Sequence, residues 1–221
     1  MSAEAELAKT WTIFPPDADA PVHLRAISPR GLQRSLPAKN LIFTPAEYPV
    51  LSDRCDAVSA SALMLNSQGF NLYTCFNPIK PDHVNNSVDD TDIACRRRLL
   101  IDIDRRGTLV APATDHEIEH AERLADRIAA RLLDECGAAV FRVMSGNGVH
   151  LYLPLQDLPN DSQSKDDCRG LLKGLANEFD NEIVKVDTIV YNASRITKLP
   201  GTIMRKGLES PDRPYRMARV V

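Results

Sequence analysis

The sequence lacks several features that would place it in a broad class at once. It has five cysteines, an odd number, and no C-x-x-C pair, so neither a disulfide framework nor a zinc ribbon is expected. No apolar run approaches the roughly 18–20 residues that a membrane-spanning helix needs. The N-terminus, MSAEAELAKTW, has no apolar signal region. We therefore expect a cytoplasmic protein that does not enter a membrane.

An excess of charge of one sign is also missing. The chain has 27 Lys and Arg against 30 Asp and Glu, a formal charge of −3. This balance argues against binding nucleic acid through a global positive field, but it leaves room for a local basic groove. The 221 residues are 43% hydrophobic and 26% charged, so the chain can bury a core and suits one large domain.

Patterns typical of strands and helices are mixed along the chain. Residues 1–21 predict an irregular lead-in. Strands are predicted at 22–28, 70–76 and 97–104, on both sides of SGNG, and at 182–191. Helices are predicted from the T-P-A-E capping box at 44 to about 66, at 114–137 and at 164–181. This order, with at least one hairpin, predicts an α/β or α+β fold with a mixed sheet.

Two aspartates interrupt the apolar run RRLLIDIDRRG at 97–107. Alternation along a strand puts Leu99, Ile101 and Ile103 on one face and both Asp102 and Asp104 on the other. Two ionised carboxylates this close repel each other, and a divalent cation such as Mg²⁺ or Mn²⁺ would relieve the repulsion. The alternative is an exposed strand end whose aspartates form salt bridges with the two following arginines.

The segment MSGNGVHLYL at 144–153 places two glycines between strand-like runs. A hairpin turn that needs positive φ explains Gly146 and Gly148. It does not explain His150 at the start of the return strand. Backbone N–H groups at a glycine turn can approach phosphate oxygens closely, and a histidine beside them adds a donor that charges easily near phosphate. The pattern therefore favours a phosphate-binding turn.

The motifs LLIDID and SGNGVH, in this order, resemble the archaeo-eukaryotic primase superfamily, and within it the primase-polymerases (PrimPol) of plasmids, phages and CRISPR-associated systems. The third motif of that family, an acidic residue after an apolar strand, is matched by KVDTIV with Asp187. SRITKLPGT at 194–202 resembles the basic segment that follows it, and LYTCFNPI at 72–79 a strand that precedes the first motif. The matches span roughly residues 70–205.

The resemblance implies a two-subdomain primase-polymerase core over residues 1–221. An RRM-like mixed or antiparallel catalytic sheet would occupy about 96–221, and a smaller N-terminal α/β unit about 1–95. We expect this core to be a domain of a longer protein, in a mobile element or a CRISPR-associated system. A helicase, an accessory primase or a CRISPR module would be fused to it or associated with it.

The resemblance also implies nucleotidyl transfer with two Mg²⁺ or Mn²⁺ ions. Asp102, Asp104 and Asp187 would be the catalytic residues and would hold both ions. The nucleotide-binding residues would be Ser145, Gly146, Asn147, Gly148, His150, Arg195 and Lys198. The alternatives are a strand-end cap for Asp187, and a solvated basic loop for Arg195 and Lys198.

The sequence therefore predicts a DNA primase-polymerase that acts on a single-stranded DNA template and primer, with dNTPs, NTPs or both. One alternative is a non-catalytic nucleotide-binding or DNA-binding module of a replication or defence complex. The other is a metal-dependent nuclease or phosphodiesterase that uses the same carboxylates. A triphosphate-binding SGNGVH segment favours the polymerase, because a nuclease needs no such segment.

A second motif, HEIEH at 116–120, matches the H-E-x-x-H signature of zinc proteases. The apolar positions of the predicted helix cluster on one side, and His116 and His120 point roughly 130° away from that side. A zinc protease buries this helix at its centre. The geometry therefore favours a solvated helix face over a zinc site.

Overall fold

A computed structural model describes residues 2–32 and 36–221. Four helices are present in this part of the chain: α1 (Ala3–Ile13), α2 (Leu51–Ser67), α3 (Asp115–Cys136) and α4 (Ser162–Phe179). The longer strands are β1 (Val22–Ile27), β2 (Lys39–Phe43), β3 (Asn71–Cys75), β4 (Cys95–Arg105), β5 (Phe141–Met144) and β6 (Gly148–Pro159). The shorter strands are β7 (Val184–Val186), β8 (Ile196–Lys198), β9 (Ile203–Met204), β10 (Arg216–Met217) and β11 (Arg219–Val220).

The described strands form two main sheets in which every pairing is antiparallel. The five-stranded sheet has the order β11-β5-β6-β4-β7, and the four-stranded sheet has the order β2-β1-β3-β8. β9 and β10 form a small ribbon. The α+β class predicted from the sequence is confirmed. β8 belongs to the 96–221 portion by sequence but pairs with β3, so the second sheet combines strands from both portions of the chain.

The apolar face of β4 forms the centre of the larger core. Leu99, Ile101 and Ile103 are buried and belong to the same hydrophobic cluster as residues of α3 and α4. α3 begins at a capping box formed by Thr114 and Glu117, and it ends at Gly137 in the left-handed conformation, as its sequence predicts. None of the helices in the described part of the chain is both long and apolar enough to cross a bilayer.

A second core lies against the four-stranded sheet, where α1 and α2 pack. Leu7 of α1 joins Leu24, Val58 and Leu72 in this cluster. The prediction of an irregular lead-in at 1–21 is therefore wrong for its first half. Ser2 caps α1 by accepting a hydrogen bond from the Ala5 amide, and α1 is stabilised by contacts with residues far along the chain rather than by a clear apolar period of its own.

The start of α2 and the end of β7 differ from the prediction, in each case because of a local turn. Glu47 N donates to Thr44 Oγ1 at 3.2 Å, but this capping pair closes only one turn before Pro49. α2 therefore begins at Leu51 instead of residue 44. The strand predicted at 182–191 is only β7, because Ile189 N donates to Asp187 Oδ1 at 3.0 Å and the chain turns there.

Candidate active site

A polar cavity of about 210 Å³ opens between the two main sheets. The five-stranded sheet and the segment after β7 supply one wall, and β3, β8 and β9 supply the other. Eight of the ten residues predicted for the site line the cavity: Asp102, Asp104, Ser145, Asn147, His150, Asp187, Arg195 and Lys198. The remaining two, Gly146 and Gly148, lie in the turn region between β5 and β6. The structure thus brings the predicted residues together, while their roles remain predictions.

The three aspartates are held on neighbouring strands. Asp102 and Asp104 lie on the cavity face of β4, where Asp102 is the register partner of His150 and Asp104 that of Gly148. Asp187 follows β7, and its backbone N–H donates to the Asp102 carbonyl at 2.8 Å. The backbone pairing therefore fixes three carboxylates along one side of the cavity, as the strand pattern and the third motif predict.

Burial and mutual repulsion give the two β4 carboxyls different acidities. Burial, followed by the charge of Asp102, raises the pKa of Asp104 to about 7. Burial also acts to raise the pKa of Asp102, but the nearby His150 ring, then Arg195 and Lys206, lower it overall. The His150 Nε2 lies 3.4 Å from Asp102 Oδ1. That buried oxygen forms no hydrogen bond within the described residues.

Contacts at Nδ1, the ring nitrogen that faces away from Asp102, fix the orientation of the His150 ring. Nδ1 lies 3.0 Å from Thr197 Oγ1 and 3.3 Å from the Tyr152 hydroxyl, and these two hydroxyls hydrogen-bond to each other. The network keeps Nε2 on the Asp102 side of the cavity. Thr197 was not predicted as a site residue, although it lies within the SRITKLPGT segment.

The SGNG turn brings β6 very close to the aspartates. A Cβ at position 148 would lie 2.2 Å from the Ile103 carbonyl oxygen and 2.7 Å from Asp104 Oδ1, so only glycine fits there. Ser145 N donates to the Gly148 carbonyl at 2.9 Å and closes the turn. Asn147 Oδ1 accepts a hydrogen bond from Ala113 N at 2.9 Å, while its buried Nδ2 has no partner among the described residues. Asn147 Nδ2 is therefore a free donor beside the cavity.

The cations of the opposite wall differ in their surroundings. Arg195 donates to the Ile189 carbonyl at 3.1 Å. Lys198 is buried, and its Nζ donates to Thr202 Oγ1 at 2.7 Å; burial, followed by the charge of Arg205, lowers its pKa well below the usual range. A solvated loop is therefore the wrong interpretation for Lys198. Lys206 also lines the cavity and was missed by the sequence analysis.

The carboxylates fit a divalent cation that a substrate would help to hold. In residues 2–32 and 36–221, no three His, Cys, Asp or Glu side chains converge into a ready-made metal cage. Mg²⁺ is commonly bound by one or two carboxylates together with substrate phosphates. The buried Asp102 oxygen without a hydrogen bond and the raised pKa of Asp104 are what an unneutralised carboxylate pair produces.

Solved structures of two enzymes resemble this chain over nearly its whole length, whereas no protein-family model and no curated protein matches the sequence. The primase-polymerase (PrimPol) domain of cyanophage S-2L is 17% identical with a TM-score of 0.55, over 99% of this chain and 89% of that domain. The polymerase domain of Mycobacterium tuberculosis Ligase D, solved in complex with DNA, is 13% identical with a TM-score of 0.51, over 97% and 80%. The chain has the archaeo-eukaryotic primase-polymerase fold.

The HEIEH segment lies outside the cavity of this primase-polymerase fold. His116 and His120 are adjacent on α3, with their Nε2 atoms 3.2 Å apart. Glu117 stands where the motif of a zinc protease has its general base, but here it accepts hydrogen bonds from Thr114 N and from Arg213. The motif thus supplies a helix cap and an ion pair, and both are structural.

Proposed function

We propose that this chain is a template-directed nucleotidyltransferase, a DNA primase-polymerase that extends primers on single-stranded DNA and also starts them. The observation that carries the proposal is the single cavity that Asp102, Asp104 and Asp187 share with His150 and the SGNG turn. The similar structures are a primase-polymerase domain and a polymerase domain bound to DNA, which supports the same class of reaction. We infer that dNTPs, NTPs or both are the substrates.

Asp102, Asp104 and Asp187 would hold two Mg²⁺ or Mn²⁺ ions. Such ions, when bound, neutralise developing charge on the attacking and leaving oxygens of phosphoryl transfer. The chain itself contributes positioning. β4 holds two carboxylates at a fixed spacing on one face, and the bond from Asp187 N to the Asp102 carbonyl keeps the third beside them. Little else is required of the protein in this chemistry, because positioning and charge neutralisation dominate it.

The triphosphate would lie between the SGNG turn and the cationic wall. Asn147 Nδ2 offers a donor without a partner in the described residues, and the His150 ring is oriented toward the cavity by Thr197. Arg195 and Lys206 act on Asp102 electrostatically across the cavity, so both are close enough to neutralise phosphate charge there. A nuclease would need only the side of the cavity that carries the three aspartates, so the cations opposite them favour a nucleotide-binding enzyme.

Primer extension tests the proposal directly. The wild-type chain, a template–primer duplex and labelled nucleotides with Mg²⁺ or Mn²⁺ are compared with the Asp102→Asn/Asp104→Asn variant. Loss of the carboxylate charges removes several kcal/mol of metal-dependent stabilisation, so extension falls about a thousandfold or more. Thermal stability stays the same or rises, because repulsion between buried carboxylates is removed. The matched control Asp166→Asn/Asp167→Asn, on the exposed face of α4, retains activity.

The reaction products distinguish the proposed polymerase from a nuclease and from a non-catalytic binding module. Near wild-type extension by the Asp102→Asn/Asp104→Asn variant would refute the carboxylate assignment. Cleavage of the labelled DNA without nucleotide incorporation would identify a nuclease, and binding of DNA and nucleotide without either reaction would identify a non-catalytic module. Incubation with unprimed single-stranded DNA tests initiation, since a dinucleotide or longer product forms only if the chain can start a primer.

A further inference from the structure

A second polar pocket, about 230 Å³ in volume, lies beside the active-site cavity. The two share Tyr73, Met204 and Lys206 as a common wall. Arg30 and Arg205 complete the charged lining, and no carboxylate of the described residues lines it. Its volume is several times the roughly 30 Å³ share of one water molecule, so a phosphate group can enter.

The cations of this pocket are unpaired, unlike two of the arginines near the C-terminus. Arg213 pairs with Glu117 and Arg216 with Asp115. In contrast, the side chains of Arg30, Arg205 and Lys206 form neither an ion pair nor a hydrogen bond within the described chain, and Arg205 Nη1 is buried without a partner. Burial lowers the pKa of Arg205. A bound anion would give these three cations a partner, and it would compensate most for the buried Nη1 of Arg205.

The backbone that carries Arg205 is fixed by two asparagine side chains. The Asn71 amide donates to the Arg205 carbonyl and accepts from Arg205 N, both at 2.8 Å. The Asn66 amide brackets Ile203 in the same way, at 3.0 and 2.8 Å. These bonds tie the backbone of residues 203–205 to β3 and α2. The Arg205 side chain therefore projects from a fixed backbone rather than from a free loop.

Arg30 is anchored to the same segment. Gly207 N donates to the Arg30 carbonyl at 2.7 Å. Gly207 has a φ of +63°, and a Cβ there would lie 2.0 Å from the Val110 carbonyl oxygen. Only glycine fits this close approach. The turn after β1 and the segment after β9 thus meet at a point where both backbones are constrained, and their cations face one pocket.

The pocket is separated from the carboxylates by Tyr73. Burial and the charge of Asp102 raise the pKa of Tyr73 to about 12, while Arg30 acts in the opposite direction. Among the groups that act most on the pKa of Asp102 are His150, Arg195 and Lys206, and on the pKa of Asp104 Lys206 and His150; neither Arg30 nor Arg205 is among them. A triphosphate held over the carboxylates would reach Lys206 and leave the other two cations for a different phosphate.

We propose that Arg30, Arg205 and Lys206 form a second phosphate site, which binds a backbone phosphodiester of a DNA strand entering the active-site cavity. Lys206 is shared between the two sites, while Arg30 and Arg205 belong to the DNA site alone. This inference rests on the proposed function, because it assumes that DNA is the polymer bound. A phosphate of the nucleotide triphosphate has the same chemistry, and the experiment separates the two sources.

The test compares Arg30→Gln/Arg205→Gln with the wild type in two binding assays that need no catalysis. One measures fluorescence anisotropy of a labelled single-stranded oligonucleotide across a salt series, and the other measures dNTP binding with Mn²⁺ by calorimetry. DNA affinity falls about tenfold or more. The slope of log K against log salt becomes shallower by about 0.7, since one phosphate contact is lost. Affinity for dNTP stays within about twofold.

Two further variants act as controls. Arg123→Gln/Lys173→Gln removes the same charge from exposed positions on α3 and α4, and its DNA affinity stays within about twofold of the wild type. Arg30→Lys/Arg205→Lys keeps the charge and retains most of the DNA affinity. The proposal is overturned if dNTP binding falls while DNA binding does not, or if the α3/α4 control loses as much DNA affinity. Both assays remain readable if the chain proves inactive as a polymerase.

Discussion

The two walls of the cavity differ in the sign of their charge and in how the chain builds them. The carboxylate wall comes mainly from β4, with β7 hydrogen-bonded directly alongside. The cationic wall comes from β8, which joins the N-terminal sheet after most of the five-stranded sheet is complete, and from the segment around β9, which pairs with β10. Each wall alone concentrates charge of one sign. The candidate site therefore lies between two sheets, and a substrate that carries phosphates and divalent cations would satisfy both sides.

The largest effect on nucleotide binding is expected where the two walls meet, at His150. It is held by Thr197 of β8 and faces Asp102 of β4. His150→Ala should weaken dNTP binding by about 10–150-fold, because a charge-assisted hydrogen bond is worth roughly 1.5–3 kcal/mol. DNA binding should change far less. Calorimetric titration with dNTP and metal measures the effect, and affinities within about twofold of the wild type would make His150 a structural part of the turn.

The same contrast explains what the sequence could predict. Asp102, Asp104 and His150 lie in short motifs on paired strands, where alternation alone puts them on one face. Lys206 and Thr197 belong to the other wall. The position of Thr197 depends on β8 pairing with β3, and Lys206 follows a residue whose backbone is held by Asn71; both contacts join residues more than a hundred positions apart. Strand pairing over that separation has no local signal. Contacts over long separations also explain why the sequence did not predict α1, because this helix is stabilised by packing against distant residues.

A smaller effect is expected from pH, and it acts on the carboxylate wall alone. In the metal-free folded chain Asp104 keeps its proton up to about pH 7, whereas the unfolded chain loses it near 3.8. Its contribution to stability is therefore present at acid pH and is lost as the pH rises through about 7. Because a cation must displace this proton, Mn²⁺ affinity should rise about tenfold per pH unit up to about pH 7 and then level off.

Calorimetry in buffers of different ionisation enthalpy measures the proton released on Mn²⁺ binding. About one proton should be released below pH 7, and fewer above it. The Asp104→Asn variant provides the control, because it has no proton to release at this position. A Mn²⁺ affinity that stays constant between pH 5.5 and 7.5 would contradict the raised pKa of Asp104 or its role as a ligand.

The smallest effects are expected outside both walls, at the HEIEH segment. Glu117→Ala removes a capping bond to Thr114 N and the ion pair with Arg213, so it should destabilise the fold by about 1–2 kcal/mol. His116→Ala/His120→Ala removes only exposed side chains and should change stability by no more than about 0.5 kcal/mol. Urea denaturation separates these values, and nucleotide incorporation should be unchanged in the histidine variant. Stoichiometric zinc in the purified wild-type protein that this variant lacks would contradict the prediction. It would show a metal site on α3, outside the cavity between the sheets.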